Sequence, residues 1–157
     1  MKRIVRNGIP FRARLLPEAE PLAEKFINCL MCGGKKSIAR RIFAEMLEIL
    51  KKENSKPLEL FSAAIDQASP SIEVRPRRVG GGVYQVPTEV NPNRQRILAI
   101  RWILNAARKM KGKPMAECLA TVFLETRKGE GPVVKKKEEV HKMAAANKAF
   151  AHFGRSN

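Results

Sequence analysis

Arg75, Arg77 and Arg78 stand beside Gly80, Gly81, Gly82 and Tyr84, and Arg94, Arg101 and Arg108 follow at intervals of seven. A guanidinium group is a planar fork of donors that stays charged and pairs bidentately with phosphate oxygens. Alternate positions of an extended strand put Arg75 and Arg77 on one face. Glycines beside them let the backbone come close to a sugar–phosphate chain. On a helix, seven residues are about two turns, so Arg94, Arg101 and Arg108 share a face. Arg96, Lys109 and Lys111 complete nine basic residues between Arg75 and Lys111, against one acid, Glu89. That local excess is half of the chain's net charge of +16. Like charge at this density repels itself in a compact fold, and a polyanionic partner offsets the repulsion.

Bond-making chemistry finds little material. Cys29-Leu30-Met31-Cys32 matches C-x-x-C, but no second pair completes a zinc site, and no βαβ pattern supports a redox site. Packing of small apolar side chains is the better reading of these cysteines. Gly33-Gly34-Lys35-Lys36-Ser37 resembles a P-loop only superficially. Cys29 occupies the place of the first glycine, Lys36 stands where magnesium needs a hydroxyl, and no strand precedes the loop. Lys35 and Lys36 at a helix start still suit a phosphate contact. The two histidines, His141 and His152, have no nucleophile or acid at catalytic spacing. No catalytic residue, metal or cofactor is expected, and no small-molecule substrate.

The elements that position these residues follow from periodicity. Residues 1–19 read as an extended arm broken by Gly8, Pro10 and Pro17, with Lys2, Arg3, Arg6, Arg12 and Arg14 as basic contacts. A first helix runs from near Pro21 to Cys32 and stops at Gly33-Gly34. A second begins near Ser37 with Ile38, Ile42, Met46, Ile49 and Leu50 as its buried stripe, and a third begins at Pro57 and ends at Ser69-Pro70. The period then changes to two over residues 72–90, which predicts a β-hairpin turning at Gly80–Gly82. Pro76 and Pro87 keep either strand out of the middle of a wide sheet, so a ribbon standing away from the helices is expected. Asn91-Pro92 opens a fourth helix carrying Trp102 in a core role, Pro114 a fifth, and a sixth follows Pro132 and includes Phe150. The predicted fold class is mainly α: a six-helix domain over residues 20–157 with a protruding hairpin and a basic arm.

A chain of 157 residues suits one domain and can bury roughly 70% of the surface its unfolded form exposes, so it needs no metal or disulfide. Three cysteines give an odd count, which fits a reducing compartment. No apolar run approaches the roughly 20 residues needed to span a bilayer, and no signal peptide is read. The block 17–74 is nearly neutral, with eight basic residues and nine acids, and basic segments flank it. This distribution points to a nucleic acid.

The run Ser71-Ile72-Glu73-Val74-Arg75-Pro76-Arg77-Arg78-Val79-Gly80-Gly81, followed by Tyr84-Gln85-Val86-Pro87, resembles the hairpin of bacterial-type small-subunit ribosomal protein seven. Leu98-Ala99-Ile100-Arg101-Trp102-Ile103 is similar to that family's fourth helix. His141-Lys142-Met143-Ala144 with Ala146-Asn147-Lys148-Ala149-Phe150-Ala151-His152 is similar to its C-terminal helix, and the turn Gly34-Lys35-Lys36-Ser37 also matches. The resemblance spans nearly the whole chain in order. It implies a six-helix domain with a β-ribbon that binds the 3′ major domain of small-subunit ribosomal RNA and helps nucleate assembly of the subunit head. It further implies a place near the messenger RNA exit path and exit-site transfer RNA, and neighbouring proteins of the head and platform. The ribosome concerned is that of a bacterial cytoplasm, a mitochondrial matrix or a plastid stroma. Lys35, Lys36, Arg75, Arg77, Arg78, Arg94, Arg96, Arg101 and Arg108 fall where the family places RNA-facing basic residues, and Tyr84, Lys109, Lys142 and Lys148 join them as candidates. The arm is assigned by charge. Asn91 departs from an expected arginine, Cys32-Gly33 from an acidic residue before the glycine, and Gly154-Arg155-Ser156-Asn157 from an aromatic–arginine ending.

Two other classes compete. A DNA-binding regulator would use the fourth helix in the major groove, but the hairpin separates helices three and four where a tight helix–turn–helix is required. An RNA-modifying enzyme lacks a cofactor loop. The resemblance to the ribosomal family also implies that replacing Arg75, Arg77 and Arg78 by alanine leaves the thermal midpoint nearly unchanged while weakening incorporation into the subunit.

Overall fold

In the computed structural model, residues 20–53 and 55–154 are described; the arm expected over residues 1–19, with Lys2, Arg3, Arg6, Arg12 and Arg14, lies outside them. The described elements are α1 (Glu20–Leu30), α2 (Lys36–Glu53), α3 (Pro57–Ala68), β1 (Ile72–Val79), β2 (Gly82–Glu89), α4 (Pro92–Lys109), α5 (Met115–Lys128) and α6 (Gly131–Ala146). A 3-10 helix over Lys148–Gly154 follows. Prolines stand in the first positions of α3, α4 and α6, where a missing N–H costs nothing. At the head of α4 the Asn91 side chain accepts a 3.2 Å hydrogen bond from the Asn93 backbone N–H. The departure at this position is thereby a helix cap. Gly129, at φ 81°, ends α5 with its N–H on the carbonyls of Glu125 and Thr126.

The core forms where four helices converge. Phe26 of α1, Phe43 of α2, Phe61 of α3 and Phe123 of α5 are fully buried, with ring centroids 5.3–5.7 Å apart in tilted and edge-on contacts. This cluster sets the rotation of α2. Its buried stripe is Ala39, Phe43, Met46 and Leu50. Ile42 and Ile49 sit half-buried at its sides, and Ile38 is 43% exposed. The expected stripe through Ile38 and Ile42 is therefore rotated, because Phe43 takes the central place. On α4, Ala99, Ile100, Ile103, Leu104 and Ala107 face inward, and Trp102 packs half-buried against the same core.

The hairpin is antiparallel, with Ile72 opposite Glu89 and Val79 opposite Gly82. Its turn is two residues long, Gly80 and Gly81, at φ 55° and 85°. Two consecutive positive φ values are what a type I′ turn requires, and glycine adopts them without strain. Gly82 belongs to β2 rather than to the turn.

The chain's end departs from the expected single last helix. α6 stops at Ala146, where the Asn147 side chain donates a 2.8 Å hydrogen bond to the Met143 carbonyl and competes with the helical backbone. Phe150 therefore lies on the 3-10 helix, which folds back on the ribbon. Its ring lies 5.2 Å from Tyr84, Phe153 lies 5.6 Å from Tyr84, and Arg77 Nη1 donates a 3.1 Å hydrogen bond to the Phe153 carbonyl. One face of the ribbon is thus packed, the face that carries the cross-strand pair Arg77–Tyr84.

Candidate nucleic-acid interface

Glu73 lies at the base of the ribbon, just before the basic block. It is only 8% exposed. Period two puts it on the same face as Arg75, and the register puts that face over Val86, which is buried. Arg75 donates to the Glu73 carboxylate from its own strand. From the first turn of α4, Arg94 Nε donates to both carboxylate oxygens at 2.9 Å. Two guanidinium groups on one carboxylate satisfy it where burial would otherwise make its charge costly. The carboxylate joins β1 to α4 and answers part of the charge of Arg75 and Arg94. Sequence reasoning missed this role of Glu73, although its alternation with Arg75 was a visible signal.

A second acid does the same on α1. Glu24 lies 2.9 Å from Lys36 Nζ and 3.2 Å from Arg40 Nη2. The hydrogen bond from Lys36, helped by Arg40, holds the Glu24 carboxyl below its ordinary range despite some burial. Lys36 is therefore engaged inside the protein, unlike Lys35 beside it.

The remaining candidates divide by what they touch. Arg78, Arg96, Arg101, Arg108, Lys109, Lys35, Lys142 and Lys148 are exposed. No carboxylate of the described residues lies in salt-bridge range of any of them. Arg77 and Tyr84 are engaged with the 3-10 helix, Tyr84 keeping 37% of its surface exposed. Fourteen residues separate Arg94 from Arg108, so the α4 ridge runs about 21 Å along the helix axis. One end meets the ribbon base through Glu73. The other meets the α1–α2 turn, where Arg108 Nη2 lies 3.9 Å from the exposed Cys32 Sγ. There Lys35 and Arg108 line a groove of about 270 Å³. Lys148 lines a larger cleft of about 710 Å³ between the ribbon and α6, with Ile72, Pro87, Thr88 and His141. Thr88 Oγ1 and His141 Nε2 are buried there without a hydrogen-bond partner among the described residues. Cys118 is buried against the core and Cys29 half-buried. Among the described residues no group of three or more His, Cys, Asp or Glu side chains is placed to hold a metal ion. Among the same residues no helix is long and apolar enough to cross a membrane.

The sequence model of the family described as ribosomal protein S7p/S5e matches residues 5–148. The chain belongs to this family. The match takes in the ribbon, α4 and the α1–α2 turn, and stops where the 3-10 helix begins. A protein of Chloroflexus aurantiacus named small ribosomal subunit protein uS7 is 51% identical over 154 residues, which are 96% of this chain and 98% of that one. Its counterpart in Chloroflexus aggregans is 47% identical over the same shares. One in Rhodopirellula baltica is 54% identical over 135 residues, 84% of this chain and 86% of its own.

Proposed function

We propose that this chain is a structural, non-catalytic protein of the small ribosomal subunit that binds the 3′ major domain of the subunit's ribosomal RNA and nucleates assembly of the head. The observation that carries the RNA-binding part is the set of exposed cations with no described carboxylate in salt-bridge range, above all Arg101 and Arg108 on the α4 ridge, Lys35 at one end and Arg78 on the ribbon. These can meet phosphates without breaking an internal ion pair. A-form RNA exposes phosphates and 2′-hydroxyls for recognition by shape, which suits a ridge of fixed cations. Family membership supports the ribosomal setting. The ribbon, next to messenger RNA and exit-site transfer RNA in this reading, supplies Arg78 near its tip, and α6 faces neighbouring subunit proteins. In this reading the basic residues at positions 1–19 add phosphate contacts to those made by the helical domain.

Filter binding of the full chain to a 3′-domain RNA transcript at several salt concentrations tests this. The logarithm of the affinity falls linearly with log salt through counterion release, and Arg101→Ala lowers the slope by about one contact. A flat salt response, or equal affinity for duplex DNA or for unrelated structured RNA, overturns the reading.

A further inference from the structure

Ile38 poses a question that the core does not answer. It is a large aliphatic side chain on α2, 43% exposed, with Lys35, Ser37, Arg40 and Arg41 exposed around it in sequence. With Met31, Ile42 and Met115 it lines the groove of about 270 Å³ that has Lys35 and Arg108 at its rim. Neither rim cation has a salt-bridge partner among the described carboxylates, and the contact with Cys32 Sγ holds Arg108 at the groove's edge. Beside it, Lys36 and Arg40 are taken up by Glu24, so the positive field at this end of α4 falls to Lys35, Arg108 and Lys109, with Lys111 and Lys113 exposed just beyond the helix.

The volume is below the ~300–1,000 Å³ of sites that enclose a drug-sized ligand, so the groove takes one ring or one side chain. Its lining is apolar and its rim cationic. That complements a flat group with apolar faces, carried on a sugar that has phosphates on either side. An unpaired nucleobase is such a group: its faces are apolar and a phosphate lies on each side of its sugar. An apolar protein side chain would fill the groove but leave the two cations without a counter-charge.

We propose that the groove between α1, α2 and the start of α5 receives a single unpaired base of the bound RNA, its ring against Ile38, Ile42 and Met115 and its flanking phosphates on Lys35 and Arg108. This rests on the RNA-binding reading above and adds that the RNA must present an extruded base at this point. It also accounts for the exposed Ile38, which the phosphate contacts alone do not need.

Chemical probing of base and ribose reactivity in the 3′-domain transcript tests the proposal, with the full-length protein and its Ile38→Ser and Lys35→Ala/Arg108→Ala variants. The protein is expected to protect one unpaired base. Ile38→Ser re-exposes that base and weakens binding about tenfold, the scale of one stacked base, with the salt slope unchanged. Lys35→Ala/Arg108→Ala lowers the salt slope by about two. Because Ile38 is largely outside the core, the serine variant should keep the parent's unfolding midpoint, which urea denaturation checks. If the parent protein binds the transcript and Ile38→Ser binds it equally with the same base protected, the groove proposal falls and the RNA-binding reading stands. If Ile38→Ser binds RNA normally but enters subunits poorly, the groove takes a protein side chain and the proposal again falls. If the parent protein does not bind the transcript, both readings fall.

Discussion

Glu24 shows how one carboxylate changes what its neighbours are free to do. Lys36 and Arg40 both lie on it, and its side chain keeps 29% exposure. Its lowered pKa means that the folded state holds its proton less tightly than the unfolded state does. The resulting stability is fully present above the ordinary carboxylate value of 4.5 and is lost as pH falls through the lower folded value. Urea denaturation across pH 3–7 should therefore show the parent protein losing stability relative to Glu24→Gln only below about pH 4.5, with parallel curves above it. A gap that widens as pH rises above 5 would contradict this. Glu73 pairs with Arg75 and Arg94 as Glu24 pairs with Lys36 and Arg40. Neither pairing is visible in a count of charges, because Glu24 is twelve residues from Lys36 and Glu73 is twenty-one from Arg94. Only the alternation of Glu73 with Arg75 was within reach of local pattern.

At the scale of elements, the ribbon separates three arginines that a charge count treats alike. Arg75 is held by Glu73, Arg77 by the Phe153 carbonyl, and Arg78 extends exposed from the opposite face to Arg77. The sequence-based expectation that all three are dispensable for folding is thereby narrowed to Arg78. Arg78→Ala should leave the unfolding midpoint in place. Arg77→Ala should cost about 1.5–3 kcal/mol, the scale of a hydrogen bond to a charged donor. It should also speed amide exchange over Lys148–Gly154, where Arg78→Ala should not. Equal exchange in the two variants would mean that Tyr84, Phe150 and Phe153 hold the 3-10 helix without Arg77. The ribbon itself was legible, since a change of period to two and a run of glycines report local backbone geometry. The packing of the 3-10 helix on it was not, because Arg77 and Phe153 are seventy-six residues apart.

For the whole molecule, the four-phenylalanine cluster locks α1, α2, α3 and α5 together and so fixes where the α1–α2 turn lies. Phe61 contacts Phe26, Phe43 and Phe123 at 5.3–5.4 Å and is fully buried. Phe61→Ala should cost about 3–5 kcal/mol, a large share of the ~5–15 kcal/mol that holds a domain together. Urea denaturation measures it, and a loss under 1 kcal/mol would mean that the cluster is not the centre of the core. By itself, the sequence determined the first five helices, the hairpin and the sign of the surface, because each depends on residues within a few positions along the chain. It also carried the family pattern on which the nucleic-acid reading rests. Tertiary structure decided which face of α2 turned inward, leaving Ile38 outside, and which of the many cations are answered by Glu24 and Glu73. Those outcomes depend on volumes and charges that meet only when distant segments pack, so the stretch from Arg75 to Lys111 has two kinds of arginine, some paired with Glu73 or the Phe153 carbonyl and others exposed with no described carboxylate in reach.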